Sequence, residues 1–409
     1  MAEGFETTIE AMGAGGDGIA PGPFFIPFTL PGERVAATAT AKDKARLDAV
    51  LDPSPERVAP PCAHFGACGG CALQHWAPPA YAAWKRGKLA EALSRAGYDP
   101  VLAEGFTTPR NSRRRADLGL HRRPDGAVEI GFHQRGAHAL VPMRECHVLR
   151  PEIVALLPAL AAALRPLEAL RRLGAVLVNW LDTGPDLLLS TDGKLTEGDR
   201  RRLAAFAEAE SIPRIAWKGE VAAQRGTAAI TLGGTAVNPP PGAFLQATPE
   251  GEAAIVAAVL AALPPRLPAR GRLADLFAGL GTLSFPLARH GVVDAFEGAP
   301  EAVAALSKAA GGGRVRAHRR DLQRQPLLPL ELKPYAAVVL DPPFAGAPEQ
   351  VEQIARSQVK RVIYVSCSPA ALSRDAAALR QAGFALHSAV PVDQFLWSAH
   401  LESVVAFTR

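Results

Sequence analysis

A chain of 409 residues, 48% of them hydrophobic, can bury a large core and is expected to divide into two or three domains. Its formal charge of +5 and pI near 9.1 allow a polyanionic partner without requiring one. The longest apolar run, residues 153–164, contains Pro158 and falls short of the roughly 20 residues that cross a bilayer; with Glu3, Glu6 and Glu10 where a secretory leader would be basic, no membrane span and a cytoplasmic location are expected.

In chain order, residues 7–40 alternate short apolar stretches with glycines at 13–18 and with Pro31-Gly32, the pattern of a small antiparallel barrel or sheet. A proline-rich linker follows at 52–61, and residues 79–96 have helical spacing with Trp84, Leu89 and Leu93 on one side. Strands are expected at 175–179, 187–190 and 228–232, with an Ala/Leu-rich helix near 152–170. Asn238-Pro-Pro-Pro-Gly242 marks a break. Beyond it, apolar stretches at 272–277, 292–296, 336–340 and 361–365 alternate with helix-length segments, which predicts a doubly wound α/β domain.

Arg110, Arg113, Arg114, Arg115, Arg122 and Arg123 crowd into one short stretch, around what reads as an exposed strand, with Asp117 the only acid among them. Guanidinium groups suit bidentate phosphate contacts, so the stretch is a candidate surface for a nucleic-acid backbone. Five cysteines are too few for a disulfide scaffold in a chain of this length. Cys62, Cys68 and Cys71 form a compact triad, and Cys146 stands apart. Four thiolates could hold zinc or an iron-sulfur cluster. Spacing leaves both open, with Gly69-Gly70, which lets the chain wrap a bulky group, favouring iron.

The first strand of the α/β domain ends in Asp275-Leu-Phe-Ala-Gly-Leu-Gly281-Thr282. Its glycines allow a tight turn against a ligand, but a dinucleotide loop would have a third glycine where this chain has Ser284. Asp275 at the strand end suits a cationic aminoacyl group, and Glu297 at the end of the second strand can accept two ribose hydroxyls. In that order they indicate a class I methyltransferase that binds S-adenosylmethionine, with Asp321 near the adenine. The fourth strand ends in Asp341-Pro-Pro-Phe344 and the fifth in Ser366-Cys367-Ser368, both at the carboxyl edge where such sheets hold their sites. Carbon 5 of a pyrimidine becomes nucleophilic once a thiolate adds at carbon 6. Cys367 is the candidate thiolate, and Glu402 the candidate base that removes the carbon 5 proton.

Taken together these residues resemble the RNA 5-methyluridine methyltransferases that modify bacterial ribosomal and transfer RNA, in particular the iron-sulfur-bearing branch. The resemblance implies that Cys62, Cys68, Cys71 and Cys146 ligate a [4Fe-4S] cluster and that Phe244-Leu-Gln246 is a Phe-x-Gln motif. It implies cofactor contacts at Gln246, Phe277, Thr282, Glu297, Asp321 and Asp341, with Cys367 as nucleophile and Glu402 as base. It further implies a short TRAM-like, OB-like barrel at 1–57, a central α+β iron-sulfur and RNA-binding domain at 58–240, and the methyltransferase domain at 241–409. The helix near 76–104 is expected to pack with the last of these. The expected product is 5-methyluridine in 23S ribosomal RNA, with the transfer RNA T-loop second, made by a monomer.

The chain departs from that pattern at Phe344, where an arginine is common, and at Thr282 and Thr248, where asparagines are. Rival readings are a cytosine-5 methyltransferase, which would need a second cysteine after the fourth strand, an exocyclic-amine methyltransferase and a non-catalytic RNA-binding assembly factor. Phe344, Phe395, Trp397 and His400 are candidate stacking partners for an extruded base.

Overall fold

The structure is a computed structural model that describes residues 4–22, 24–268 and 271–409. Its strands form four sheets. The largest, eight-stranded, runs in the order Val315–Arg319, Val292–Glu297, Arg272–Leu276, Tyr335–Leu340, Arg361–Ser366, Glu402–Thr408, Ala385–Asp393 and Phe106–Thr107. The first five strands are parallel, and Glu402–Thr408 runs antiparallel to both its neighbours. The four expected apolar stretches are the four inner parallel strands. They are buried on both faces because helices cover both, which is why they are mostly apolar, with Asp275 and Asp294 as buried exceptions. Val338, Val339, Val362, Ile363 and Phe407 are fully buried, so truncating one to alanine would cost about 2–5 kcal/mol.

Caps fix where the site-bearing helices begin. The helix Pro369–Gln381 starts on Ser368, whose side chain accepts from the Ala371 N–H, and proline follows it. The helix Pro249–Ala261 starts in the same way on Thr248, which accepts from Gly251 N–H at 3.0 Å and from the Thr108 hydroxyl at 2.9 Å. A threonine at 248 therefore has a structural task of its own.

A second, seven-stranded sheet spans residues 115–224 and carries the helices Pro151–Leu164 and Glu197–Ala209 on a core rich in leucine. The first helix is shorter than expected, because Leu164 is followed by an irregular turn at 165–172. The strand Arg115–Arg122 lies inside this sheet between Val128–His133 and Leu173–Leu181, with Leu118 and Leu120 buried. It is thus not the exposed strand expected from its charge. The arginines around it are largely spent on the fold. Arg114 is buried, pairs with Glu252 at 2.6 Å and donates to the Gln246 carbonyl. Arg122 caps the carbonyls of Leu164 and Leu167, and Arg123 pairs with Asp125 and Glu129.

Residues 4–52 form a six-stranded sheet that is antiparallel except for one parallel bridge, Phe25 to Lys44. The helix Pro78–Arg95 crosses from that region to the large sheet, packing on Pro369–Gln381 and on Ala385–Asp393. Its buried face is Tyr81, Lys85, Leu89, Ala92 and Leu93. Lys85 is the surprise: it lies inside, held by Asp393 at 2.5 Å and by the Phe395 carbonyl at 3.0 Å. Tyr81 donates to the other Asp393 oxygen at 2.6 Å and accepts from the Trp397 N–H. No helix among the described residues is long and apolar enough to cross a membrane.

Candidate active site

Two loops and three strand ends meet at the carboxyl edge of the eight-stranded sheet. After the strand Arg272–Leu276, Phe277 adopts φ +63°, a left-handed conformation strained for an aromatic residue, and the glycines follow at φ +54° (Gly279) and +92° (Gly281). A side chain at 281 would strike Leu306 and Phe285, so only glycine fits. The loop is tied to the next strand by Ala278 N–H on the Phe296 carbonyl and by Gly279 N–H on Glu297 Oε2 at 2.9 Å. The other Glu297 oxygen accepts from Ala299 N–H at 2.8 Å. Asp321 is exposed and lies beside Gly298, next to Glu297. Thr282 is half-buried in the same turn.

Beneath the loop, Asp275 is completely buried. Ser284 donates to its Oδ2 at 2.5 Å, while Oδ1 has no partner. Burial pushes this carboxyl up to about 7; the Ser284 hydrogen bond opposes the rise, and the Asp341 and Glu297 charges add to it. Ser284, which breaks the dinucleotide pattern in sequence, is the donor that holds Asp275.

Cys367 and Glu402 meet because of strand register. Ser366 pairs with Ser403, so one step past the end of that ladder Cys367 comes opposite Glu402, at the start of the last strand. Cys367 is half-buried and Glu402 is 4% exposed. Burial pushes the Cys367 thiol up to about 12, helped by the Glu402 and Asp341 charges. Glu402 is raised well above the carboxylate range by burial and by Asp341, with a hydrogen bond from Gln394 opposing the rise. Asp341, at the end of the strand Tyr335–Leu340, is pushed up by burial to about 7. The Asp341 charge acts on both Asp275 and Glu402, so three carboxyls cluster at the crevice expected at this carboxyl edge, two of them buried. Among the described residues no cation forms a salt bridge with Asp275, Asp341 or Glu402, which makes the crevice receptive to a cationic ligand.

Gln246 also belongs to the crevice, donating to Asp341 Oδ2 at 3.2 Å. Beside Cys367 opens a cleft of about 540 Å³, lined by Phe344, His400, Trp84, Lys88 and the loop 12–15 of the first sheet. Phe344 is 62% exposed and Phe244 is 68% exposed. Trp397 is buried, with φ +58° and the Arg110 guanidinium 5.0 Å from its ring centre, so it is walled off from the cleft. Lys88 donates to the carbonyls of Ala14 and Ala399 and joins the two sides of the cleft.

Cys62, Cys68, Cys71 and Cys146 line a separate cavity of about 140 Å³, with Arg113, Phe132 and Met143. Gly70 N–H donates to Cys68 Sγ and Leu149 N–H to Cys146 Sγ, each at 3.4 Å. A side chain at Gly69 would meet the His133 carbonyl at 2.9 Å. Among the described residues no three His, Cys, Asp or Glu side chains gather on a point able to hold a single metal ion.

Lys85 and Gln394 carry no functional signal in the sequence, and Arg114, expected at a phosphate surface, is instead buried. Lys85 stands in register with Tyr81 and Leu89, so a helical count flags it as buried. Arg114 and Gln394 have partners too distant in sequence to give a local sign, 138 residues for Arg114 to Glu252 and 148 for Gln394 to Gln246.

The tRNA (uracil-5-)-methyltransferase family model matches residues 313–409. An uncharacterized RNA methyltransferase of Brucella suis is 42% identical over 414 residues, covering 99% of this chain and 98% of that protein. A 23S rRNA (uracil(1939)-C(5))-methyltransferase of Chromohalobacter salexigens is 36% identical, over 98% of this chain and 89% of its own length. Among solved structures, the Pyrococcus abyssi tRNA (uracil-54, C5)-methyltransferase, in complex with S-adenosyl-L-homocysteine, superposes with a TM-score of 0.76 at 19% identity, covering 98% and 99% of the two chains. That superposition gives the eight-stranded sheet and its helices the class I methyltransferase fold.

Proposed function

Because the chain belongs to the RNA uracil-5-methyltransferase family and is a transferase of that kind, we propose that it methylates carbon 5 of a uridine in 23S ribosomal RNA through a covalent adduct on Cys367. The observation that carries the mechanism is the register that sets the Cys367 thiol against Glu402 in a crevice shared with Asp341. The ribosomal target is favoured by the Chromohalobacter relative.

S-adenosylmethionine would supply the methyl group as a sulfonium electrophile. The fit rests on the orphaned Asp275 Oδ1, which can accept from the aminoacyl ammonium, and on Glu297, whose oxygens each retain capacity for a ribose hydroxyl beside the open turn at Gly279. Phe277, Thr282, Asp321, Gln246 and Asp341 complete the contacts proposed for this ligand. Cys367, once its thiol proton is lost to solvent, adds through Sγ as thiolate to carbon 6 of the uracil, and the carbon 5–carbon 6 pair moves to carbon 5 and the oxygen on carbon 4. Carbon 5 takes the methyl as the sulfonium carbon–sulfur bond breaks and S-adenosylhomocysteine leaves. Glu402 then removes the carbon 5 proton, the double bond re-forms and the carbon–sulfur bond breaks, returning the thiolate. The ring reaches Cys367 through the cleft lined by Phe344 and His400, which requires an unstacked base.

Cys62, Cys68, Cys71 and Cys146 would hold a [4Fe-4S] cluster, which would cross-link the segment 62–71 to the seven-stranded sheet. What supports this reading is that the four sulfurs line one cavity, where the Cys146 charge acts on Cys62, Cys68 and Cys71. The amide bonds to Cys68 and Cys146 sulfurs suit such ligands. We further assign residues 1–57 to a TRAM-like RNA-holding barrel, 58–240 to the cluster and RNA-binding domain, and 241–409 to the methyltransferase domain.

The test is incubation with methyl-labelled S-adenosylmethionine and unmodified ribosomal and transfer RNA, followed by nucleoside analysis. Label in 5-methyluridine of 23S RNA, absent with Cys367→Ala, is expected. Label confined to transfer RNA would move the substrate, and label in 5-methylcytidine or a methylated amine would overturn the chemistry.

A further inference from the structure

Between Glu402 and Asp341 lie two buried glutamines whose hydrogen bonds have a single direction. Gln394, 1% exposed, accepts at Oε1 from the Ala247 N–H at 2.9 Å. A backbone amide can only donate, so the oxygen end of Gln394 is fixed and its NH2 must face the other way. That NH2 donates to Glu402 Oε2 at 3.0 Å and to Gln246 Oε1 at 2.6 Å. With its own oxygen occupied, Gln246 turns its NH2 to Asp341 Oδ2 at 3.2 Å. One oxygen of Glu402 is thereby engaged. The other, Oε1, is buried with no partner.

We infer that Gln394 is a positioning residue for the methyl transfer: it anchors Glu402 by Oε2 so that Oε1 alone faces the reacting carbon, and it fixes the orientation of Gln246 at the same time. The inference rests on the assignment of Glu402 as the base and concerns the last step of that reaction. There Oε1 takes the proton from carbon 5, the C–H electron pair becomes the carbon 5–carbon 6 double bond, and the pair of the carbon 6–Sγ bond leaves with Cys367 as thiolate. Without Gln394, Glu402 would be held only by its backbone and could turn either oxygen, or neither, towards carbon 5. The titratable groups facing Glu402 are Asp341, at the end of the strand Tyr335–Leu340 two places away in the sheet, and Cys367. Both are acidic, so the Gln394 donor is the hydrogen bond that favours the ionised carboxylate.

Two substitutions separate this role from simple packing. Gln394→Met keeps the length and removes both donors, so turnover is expected to fall on the order of tenfold to a hundredfold, as for a lost hydrogen bond to a charged group. Glu402 then holds its proton more tightly, the acid limb of the rate profile moves to higher pH, and the activity relative to native rises as pH rises. Gln394→Glu keeps the shape and the Ala247 contact but donates only while protonated, so its activity relative to native falls as pH rises. In both variants the methylated RNA–protein adduct accumulates, because addition of the thiol is spared while proton removal is slowed.

The measurement is turnover across the pH range with gel quantification of the adduct, native protein in parallel. Opposite pH trends with adduct build-up are the expected result. Losses that are constant with pH, without adduct, would overturn the inference. If the methionine variant does not fold, the glutamate variant decides by the same criterion. Failure of the native protein to form 5-methyluridine would instead refute the underlying assignment.

Discussion

Two sets of cysteines occupy this chain, four gathered around one cavity and one alone at a strand end. Four thiols line a cavity of about 140 Å³ beside Arg113 and Glu145, and the Cys68 and Cys146 sulfurs accept backbone amides. Cys367 sits alone at the end of a strand, facing Glu402 and Asp341 and opening onto a cleft of about 540 Å³. Donors and a neighbouring cation suit sulfurs that carry permanent negative charge in a cluster. Burial, with the Glu402 and Asp341 charges adding to it, keeps the single thiol protonated until a cationic ligand and an electrophilic ring arrive, which is what a transient nucleophile needs.

The largest expected effect sharpens that contrast at Cys367. Cys367→Ala should reduce methylation by on the order of 10⁴-fold or more, with unfolding little changed, because the side chain is half-buried and makes no structural bond. Glu402→Gln comes next. Turnover should fall about 10²- to 10⁴-fold while a covalent RNA adduct builds up, since a general base is removed and the nucleophile is not; rapid turnover without adduct would break the division of labour between the two residues. In the other region Cys71→Ala should act on the fold. Iron per chain should drop and the thermal midpoint fall by several degrees, with adduct formation retained by the protein that remains folded. A lost adduct at full iron content would erase the distinction.

The smallest effect concerns pH. Asp275 binds its proton up to about pH 7 in the folded chain, and an unfolded aspartate up to about 4. The folded state holds the extra proton between those values, so stability of the unliganded protein declines as pH rises through that window and is level above it. The ligand's ammonium favours the ionised carboxylate, so affinity for S-adenosylmethionine should weaken by up to about tenfold for each pH unit below 7. Titration calorimetry at pH 6 and 8 measures it, and Asp275→Asn should flatten the dependence.

The sequence exposed those parts of the molecule whose causes are local. Parallel strands of the large sheet are legible at 272–276, 335–340 and 361–366 because a strand buried on both faces is mostly apolar, Asp275 being the exception that serves the site. The loop 275–282 is legible because tight turns demand glycine. The arginine stretch misled for a related reason: its charge is local, but its partners are not. Arg114 finds Glu252 and Arg122 finds carbonyls at the end of a helix more than 40 residues on. Lys85 and Asp393 are 308 residues apart in sequence and form one buried pair. Thr248, which reads as a departure in the Gln246 segment, caps a helix. Long-range polar pairing leaves no periodic sign, and that is where the reading ran out.

The most direct test uses RNA in which the target uridine carries fluorine at carbon 5. After thiol addition and methyl transfer, fluorine cannot leave as a cation, so the adduct cannot resolve. A denaturation-resistant protein–RNA complex is expected, which forms only with S-adenosylmethionine and whose digest shows the methylated fluoropyrimidine on Cys367. Absence of a complex in the presence of active protein, or a pyrimidine attached to any other residue, would contradict it.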